Sequence, residues 1–282
     1  MNCLSASDRA RVVGCLIEGN SIRSTVRLTG VCKDTVLKLL CDLGGACKRY
    51  HDANVRNLRS RRIQCDETWN FCYGKDKNIT DEQKADGAGS AWTWIALDAD
   101  SKLVVAYLTG GRDASWAHAF MCDVADRLTN RVQLTTDGHR CYVEAVEGAF
   151  GMEIDYAMLV KIYGSAPDKP ETRYSPAQII ETRLAVISGD PDPRHISTSY
   201  VERQNLTMRM SMRRFTRLTN AFSKKIDNLR HAVALNYMYY NFCRIHQTLR
   251  VTPAMQAGIT DHVWSIDELV RLLDRKPVSA AA

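Results

Sequence analysis

The chain has 282 residues, 45% of them hydrophobic and 25% charged, with a formal net charge of +6. This is the composition of an ordinary globular protein of one large or two smaller domains. No run approaches the ~18 uninterrupted apolar residues of a membrane span, and no apolar signal core opens the chain, so the expectation is a cytoplasmic protein. The ten cysteines are scattered without a CxxC pair. They read as reduced core residues, not as a disulfide framework or a zinc site.

The charge is unevenly placed. Residues 1–62 hold 12 Lys/Arg against 5 Asp/Glu, and residues 203–250 hold 10 against 1, which leaves an acidic middle. Basic ends around an acidic centre suit a polyanion partner and a metal-binding core.

Residues 5–50 predict three helices. Ser5 or Ser7 caps the first, Ser21 the second, and Thr29-Gly30-Val31 turns the chain into a third over Lys33–Leu43 with Val36, Leu37 and Leu40 on one face. A short helix, a glycine turn and a following helix form a helix-turn-helix pattern. It leaves Lys33, Thr35 and Lys38 at the start of the third helix, where recognition helices meet DNA. Residues 1–50 are thus a helix-turn-helix DNA-binding domain. Residues 51–62 are a basic linker, or a helix extension along a phosphate backbone.

From residue 63 the texture is that of strands: Arg62–Tyr73, then Ala91–Leu97 and Lys102–Leu108 joined by the polar turn Asp98-Ala99-Asp100-Ser101. A helix over Ser115–Leu128, a short apolar strand Arg131–Thr136, a helix over Arg140–Phe150 and a strand Tyr156–Ile162 follow. Residues 164–197 hold five of the seven prolines and read as an insertion with one strand-like run, Thr182–Ser188. Helices are expected from Thr198 to about Met212, from Thr219 or Asn220 to about His246, and over Ser265–Asp274. This order predicts an α/β fold: a mixed sheet flanked by helices, in the sequence of elements of the ribonuclease-H-like fold, preceded by the all-α helix-turn-helix domain. The catalytic domain then spans 63–250 and a helical tail 251–282.

Three carboxylates carry the chemistry. Asp66 lies mid-strand, Asp137 directly follows an apolar strand, and Glu202 sits on a basic helix. Converging, they would hold two Mg²⁺ ions, with Mn²⁺ able to substitute. One ion activates the attacking water or 3′-hydroxyl and the other stabilises the leaving oxygen of a phosphodiester. Arg209, two turns after Glu202 on the same helix face, can grip the scissile phosphate, and Arg213 extends the basic stripe. Arg203 is a further DNA contact. Asn205 can hydrogen-bond DNA or orient an acid, and His139 can act near the metals or serve as a polar loop residue. Each acid also has a plainer reading. Asp137-Gly138 is an ordinary turn, Glu202 can cap a helix, Asp66 can pair with Arg62, and Glu67 can replace Asp66 as a ligand.

The segment Tyr200-Val-Glu-Arg-Gln-Asn-Leu-Thr-Met-Arg, followed by Arg214-Phe-Thr-Arg-Leu-Thr-Asn-Ala-Phe-Ser-Lys, resembles the third-carboxylate region of transposases of the insertion sequence one family, a group of DDE transposases. Asp66 and Asp137 match that family's first two acids in order and setting, and Tyr240-Asn-Phe-Cys-Arg-Ile-His-Gln-Thr-Leu-Arg-Val-Thr-Pro is similar to a tail motif of bacterial insertion-sequence transposases. The resemblance implies Mg²⁺-dependent cleavage at the ends of a mobile element and transfer of 3′ ends into target DNA. It also implies double-stranded DNA as partner, a homodimer or higher oligomer on that DNA, and a nucleoid-associated prokaryotic protein. It departs from the family in one respect: members commonly carry a zinc-finger-like cysteine module ahead of the helix-turn-helix, and none precedes these helices. Two other readings use the same residues: a structure-selective nuclease without strand transfer, and a catalytically silent domesticated DNA-binding protein.

Overall fold

The computed structural model describes residues 4–164, 179–216 and 220–274. Helix α1 (Ala6–Ile17) is capped by Ser5, whose hydroxyl accepts from the Asp8 amide. Helix α2 (Ile22–Thr29) is capped by Ser21 and ends at Gly30, which takes the left-handed conformation (φ 73°) that a side chain would disfavour. Helix α3 runs over Lys33–Asn54, well past the end expected at Leu43, so residues 48–54 form its last turns, a helix extension as one of the two readings of that stretch has it. Its buried face holds Val36, Leu40, Leu43 and Cys47.

Two features tie α3 to the rest of the molecule. Helix α8 (Ile226–Met238) crosses it so closely that a Cβ on Gly44 would stand 2.5 Å from the His231 carbonyl oxygen. At the other end, the fully buried Arg127 guanidinium donates to Asp52 at 2.6 Å and to the Val55 carbonyl at 3.0 Å on the α3 side, and to both Asp123 oxygens at 3.0 Å. A buried charge is tolerated only when its donors are matched in this way.

The described residues form a six-stranded sheet in the order β3-β2-β1-β4-β5-β6, from β1 (Arg62–Cys72), β2 (Gly89–Asp98), β3 (Val104–Gly110), β4 (Val132–Thr136), β5 (Ile154–Tyr163) and β6 (Ile179–Ser188). Strand β1 is central. It pairs antiparallel with β2, Asp66 opposite Ile95, and parallel with β4, Cys65 opposite Thr136. Strands β4 and β5 are parallel, and β5 and β6 antiparallel. This mixed sheet between helices is compatible with a ribonuclease-H-like fold.

Helices α5 (Ala114–Ala125) and α6 (Cys141–Phe150) cover one face. There the buried Trp94 ring meets Phe120 and Tyr142 at centroid distances of 5.8 and 5.3 Å. Helix α7 (Ser199–Ser211) and α8 cover the other face, with Tyr107 of β3 packed 5.0 Å from Tyr237. Of the methionine series on α7, Met208 and Met212 are buried and Met210 is exposed, as packing requires. Short helices α4 (Asp81–Ala85), α9 (Pro253–Gln256) and α10 (Ile266–Val270) lie in the connections.

Two further segments differ from the sequence expectation. The strand-like run in the proline-rich region starts earlier, at Ile179, and joins the sheet as its edge; residues 165–178 of that region lie outside the described residues. Helix α8 starts at Ile226, not near residue 220, and passes into a π turn over Tyr239–Cys243. The chain ahead of α8 is spent on β1: the Tyr73 amide donates to the Ser223 carbonyl at 2.8 Å and Phe71 packs on Phe222 at 4.8 Å. Residues 217–219, which include the expected cap Thr219, and the tail 275–282 lie outside the described residues.

Candidate metal centre

The parallel pairing of β1 and β4 builds the site. Strand β4 ends at Thr136 beside Cys65, so the next residue, Asp137, lies beside Asp66 just beyond the end of the ladder. Alternation along β1 sends Asp66 towards α7 and Glu67 towards α6. Because Asp137 sits past the end of its strand, it is within reach of both. Carboxylate oxygens of Asp66, Glu67 and Asp137 all lie within 4.8 Å of one another. Such an oxygen-only anionic set fits a hard divalent ion such as Mg²⁺ or Mn²⁺.

The electrostatics agree with that fit. Burial, then the neighbouring charges of Asp137 and Glu67, push the Asp66 carboxyl up to about 7, and Glu202 adds to the effect. Glu67 is raised too, by burial and then by Asp137, against the opposing charge of Arg112. Like charges gathered in a desolvated place favour a proton or a cation.

Glu67 has structural partners that Asp66 and Asp137 lack. Its Oε1 pairs with Arg112 at 2.6 Å and its Oε2 accepts from the buried Tyr142 hydroxyl at 3.0 Å. Asp137 Oδ1 accepts from the His139 amide at 3.0 Å, fixing the turn. The His139 ring stacks on Trp94 at 5.8 Å, and its Nε2 is buried with no hydrogen-bond partner. Burial and the Arg112 charge hold that imidazole below its usual range.

Helix α7 is docked on the even-numbered face of β1 in a matched register. The Gln64 side-chain oxygen accepts from the Tyr200 and Val201 amides at 2.9 and 3.1 Å, so the strand satisfies the helix's first free donors. Asn205 donates to Asp66 Oδ2 at 2.7 Å, and Arg209 donates to the Thr68 hydroxyl at 2.8 Å. Three successive outward steps of β1 thus meet three points along one helix face. Glu202 is on that face, half-buried. Its Oε1 accepts from the Thr198 hydroxyl at 2.6 Å and is ion-paired with Lys161 of β5. It is not within the 4.8 Å carboxylate group.

The sequence-derived residues therefore fall into distinct places. Asp66 and Asp137 meet, and Glu202 stands beside them on a cation. Asn205 is buried against Asp66. Arg62 pairs with Asp100, not with Asp66. Arg203 is exposed in the second turn of α7, and Arg213 is exposed just past the end of that helix. Lys33 is exposed at the start of α3, Thr35 is half-buried against Cys32 at 2.9 Å, and Lys38 pairs with Asp42 at 2.6 Å. Gln64, Lys161 and Arg112 were not singled out from sequence. The parity of Gln64 with Asp66 on one strand was the only signal for it, and the other two carried none.

No family model matches the chain, and no curated protein does. Among solved structures, the chain is similar to a piggyBac transposase in a synaptic complex with hairpin DNA, at 9% identity and a TM-score of 0.33, over 89% of this chain and 56% of that one. The chain thus spans little more than half of that protein's length, and a superposition of this quality does not carry a shared mechanism. Among the described residues, no helix is long and apolar enough to cross a membrane.

Proposed function

We propose that the chain is a DDE-type transposase resembling the insertion sequence one family. On this reading it cleaves DNA at the ends of a mobile element and joins the 3′ ends to target DNA. The observation that carries it is the meeting of Asp66 and Asp137 with a third carboxylate within 4.8 Å, flanked by a helix that bonds β1 through Asn205 and Arg209 and carries Glu202 paired with Lys161 of β5.

Asp66, Asp137 and Glu202 are the ligands of this reading. Two divalent ions bound there would activate the attacking hydroxyl and stabilise the leaving oxygen. Asn205 fixes the orientation of Asp66. Arg209, anchored on Thr68, neutralises the phosphate as it enters. Glu67 is the alternative third ligand, favoured by its place in the carboxylate group; its bonds to Arg112 and Tyr142 argue for a supporting role. Helices α1–α3 serve as the helix-turn-helix, with Lys33, Thr35 and Lys38 facing the element end, while Arg203 and Arg213 add phosphate contacts.

The test is Asp137→Asn. It should abolish Mg²⁺-dependent strand cleavage and leave DNA affinity within about threefold, because the carboxylate serves the reaction and not the grip on DNA. Mg²⁺-dependent nicking retained by that variant rejects the site. Joining of pre-cut ends separates a transposase from a nuclease on the same fold.

A further inference from the structure

Strand β6 is an unusual edge. It is ten residues long (Ile179–Ser188), pairs among the described residues only with β5, and carries large apolar side chains in the open, with Ile180 68%, Leu184 52% and Val186 58% exposed. Folded proteins shorten, charge or cover such edges, because a free row of amides and carbonyls templates another strand. Apolar groups on an uncovered edge point to a partner.

The sequence of the edge indicates which partner. Ile180-Glu181-Thr182-Arg183-Leu184 is self-complementary when read in opposite directions. If two copies meet antiparallel with Thr182 opposite Thr182, each Glu181 faces the Arg183 of the other copy. Each Ile180 likewise faces a Leu184, and Ile179 faces Ala185. Apolar, threonine and opposite-charge pairs are the favourable cross-strand combinations. Neighbouring registers are poorer. A slip of one residue sets Glu181 against Thr182 or Leu184, and a slip of two sets Glu181 on itself or Arg183 on itself. Glu181 and Arg183 are exposed and bonded to each other at 2.6 Å within one chain, so both are already on one face and available to exchange partners.

We infer that β6 is a homodimerisation edge: two copies of this chain join by antiparallel β6–β6 pairing about a two-fold axis at Thr182, making one continuous sheet. A self-complementary patch of this kind generates a closed dimer and not a filament. The inference does not depend on the catalytic reading, since none of these residues belongs to the carboxylate site.

Sedimentation velocity on the full chain tests it, alongside three variants. The parent should be dimeric at micromolar concentration. Arg183→Glu puts two acids opposite each other in both halves of the interface and should weaken dimerisation by about tenfold or more, whereas the double exchange Glu181→Arg/Arg183→Glu should restore it to within about threefold. Thr182→Cys should form a symmetric disulfide-linked dimer under mild oxidation that the parent does not form, because directly opposed residues of antiparallel strands lie within disulfide reach. Unchanged melting temperatures confirm that each variant is folded. A monomeric parent at 100-micromolar order, a dimer insensitive to Arg183→Glu, or a Thr182→Cys chain that does not cross-link overturns the assignment. So do β6 amides already protected from exchange in a monomer, which would show that the chain covers its own edge.

Discussion

Asn205 on α7 donates a 2.7 Å hydrogen bond to Asp66 on β1, 139 residues away in sequence. The amide reaches the same carboxylate that Asp137 and Glu67 crowd from the other side. With one oxygen held by Asn205 and the other accepting from the Glu67 amide at 2.8 Å, the carboxylate has a single orientation before any ion arrives. Groups that orient a ligand typically cost about 10–100-fold in metal affinity or activity when removed. Asn205→Ala should therefore lower the single-turnover cleavage rate by roughly that factor, with DNA affinity unchanged in a binding titration. Asn205→Asp should be worse than alanine, because it adds a fourth acid to an already repulsive cluster.

Lys161 and Glu202 make the complementary case. The ammonium on β5 neutralises the α7 acid that the proposed chemistry needs as a ligand, so lysine and divalent ion compete for one carboxylate. Both groups are part-exposed, at 20% and 41%, so the pair itself is worth no more than about 1 kcal/mol. Lys161→Met should accordingly tighten Mn²⁺ binding by up to about fivefold in a calorimetric titration. Weaker binding in the variant would mean instead that Lys161 supports the site. Glu202→Gln should abolish cleavage. Glu67→Gln should chiefly lower the melting temperature, as Arg112 loses its charged partner.

The pH response follows from Asp66. Its folded-state value of about 7 lies above that of an unfolded aspartate, so between the two the native state binds the extra proton. The stability it contributes is complete below the unfolded value near pH 4 and is lost as pH rises through about 7. The metal-free protein should melt at a lower temperature at pH 8 than at pH 6, and Asp66→Asn should flatten that slope. Saturating Ca²⁺ should reverse it, since a proton and a cation compete for the same oxygens and metal affinity must fall as pH drops below 7. A metal-free melting temperature that rises steadily from pH 6 to 8 would contradict the crowding of Asp66.

Much of this architecture was legible because local rules and global packing agree. The short strand expected over Arg131–Thr136 with an acid just past its carboxyl end, the strand over Arg62–Tyr73, and the helix from Thr198 each follow their local patterns. What was hidden depends on pairing between distant segments. Glu67 sits on the opposite face of its strand from Asp66 and joins it only because Asp137 lies past a strand end. The late start of α8 at Ile226 reflects the strap from Ser223 to β1, against a helical pattern that would begin earlier. Helix α3 continues past its expected end at Leu43, and Gly44 is where α8 crosses it.

Arg127 gives the last prediction, and it concerns stability alone. Nothing in its surroundings in the chain, Ala125-Asp126-Arg127-Leu128, marks it as interior, yet it is 0% exposed. Its donors join the end of α3 to the end of α5 through Asp52 and Asp123, and His51 beside it bonds the Val104 carbonyl at 3.2 Å. Burial works against the Asp52 charge, but hydrogen bonds from His51, Lys48 and Arg127 outweigh it and hold that carboxyl well below its usual range. Arg127→Met keeps the volume and removes all of the guanidinium donors, leaving Asp52 to Lys48 and Asp123 to the more distant Arg56, with the two carboxylates 36% and 29% exposed. Stranding a fully buried charge costs 3–5 kcal/mol, and the partial exposure puts this case at the low end, about 3 kcal/mol. Urea unfolding should show that loss as a lower midpoint at unchanged slope. The added variant Asp52→Asn/Asp123→Asn should recover part of it, because much of the destabilisation lies in acids that have lost their buried cation.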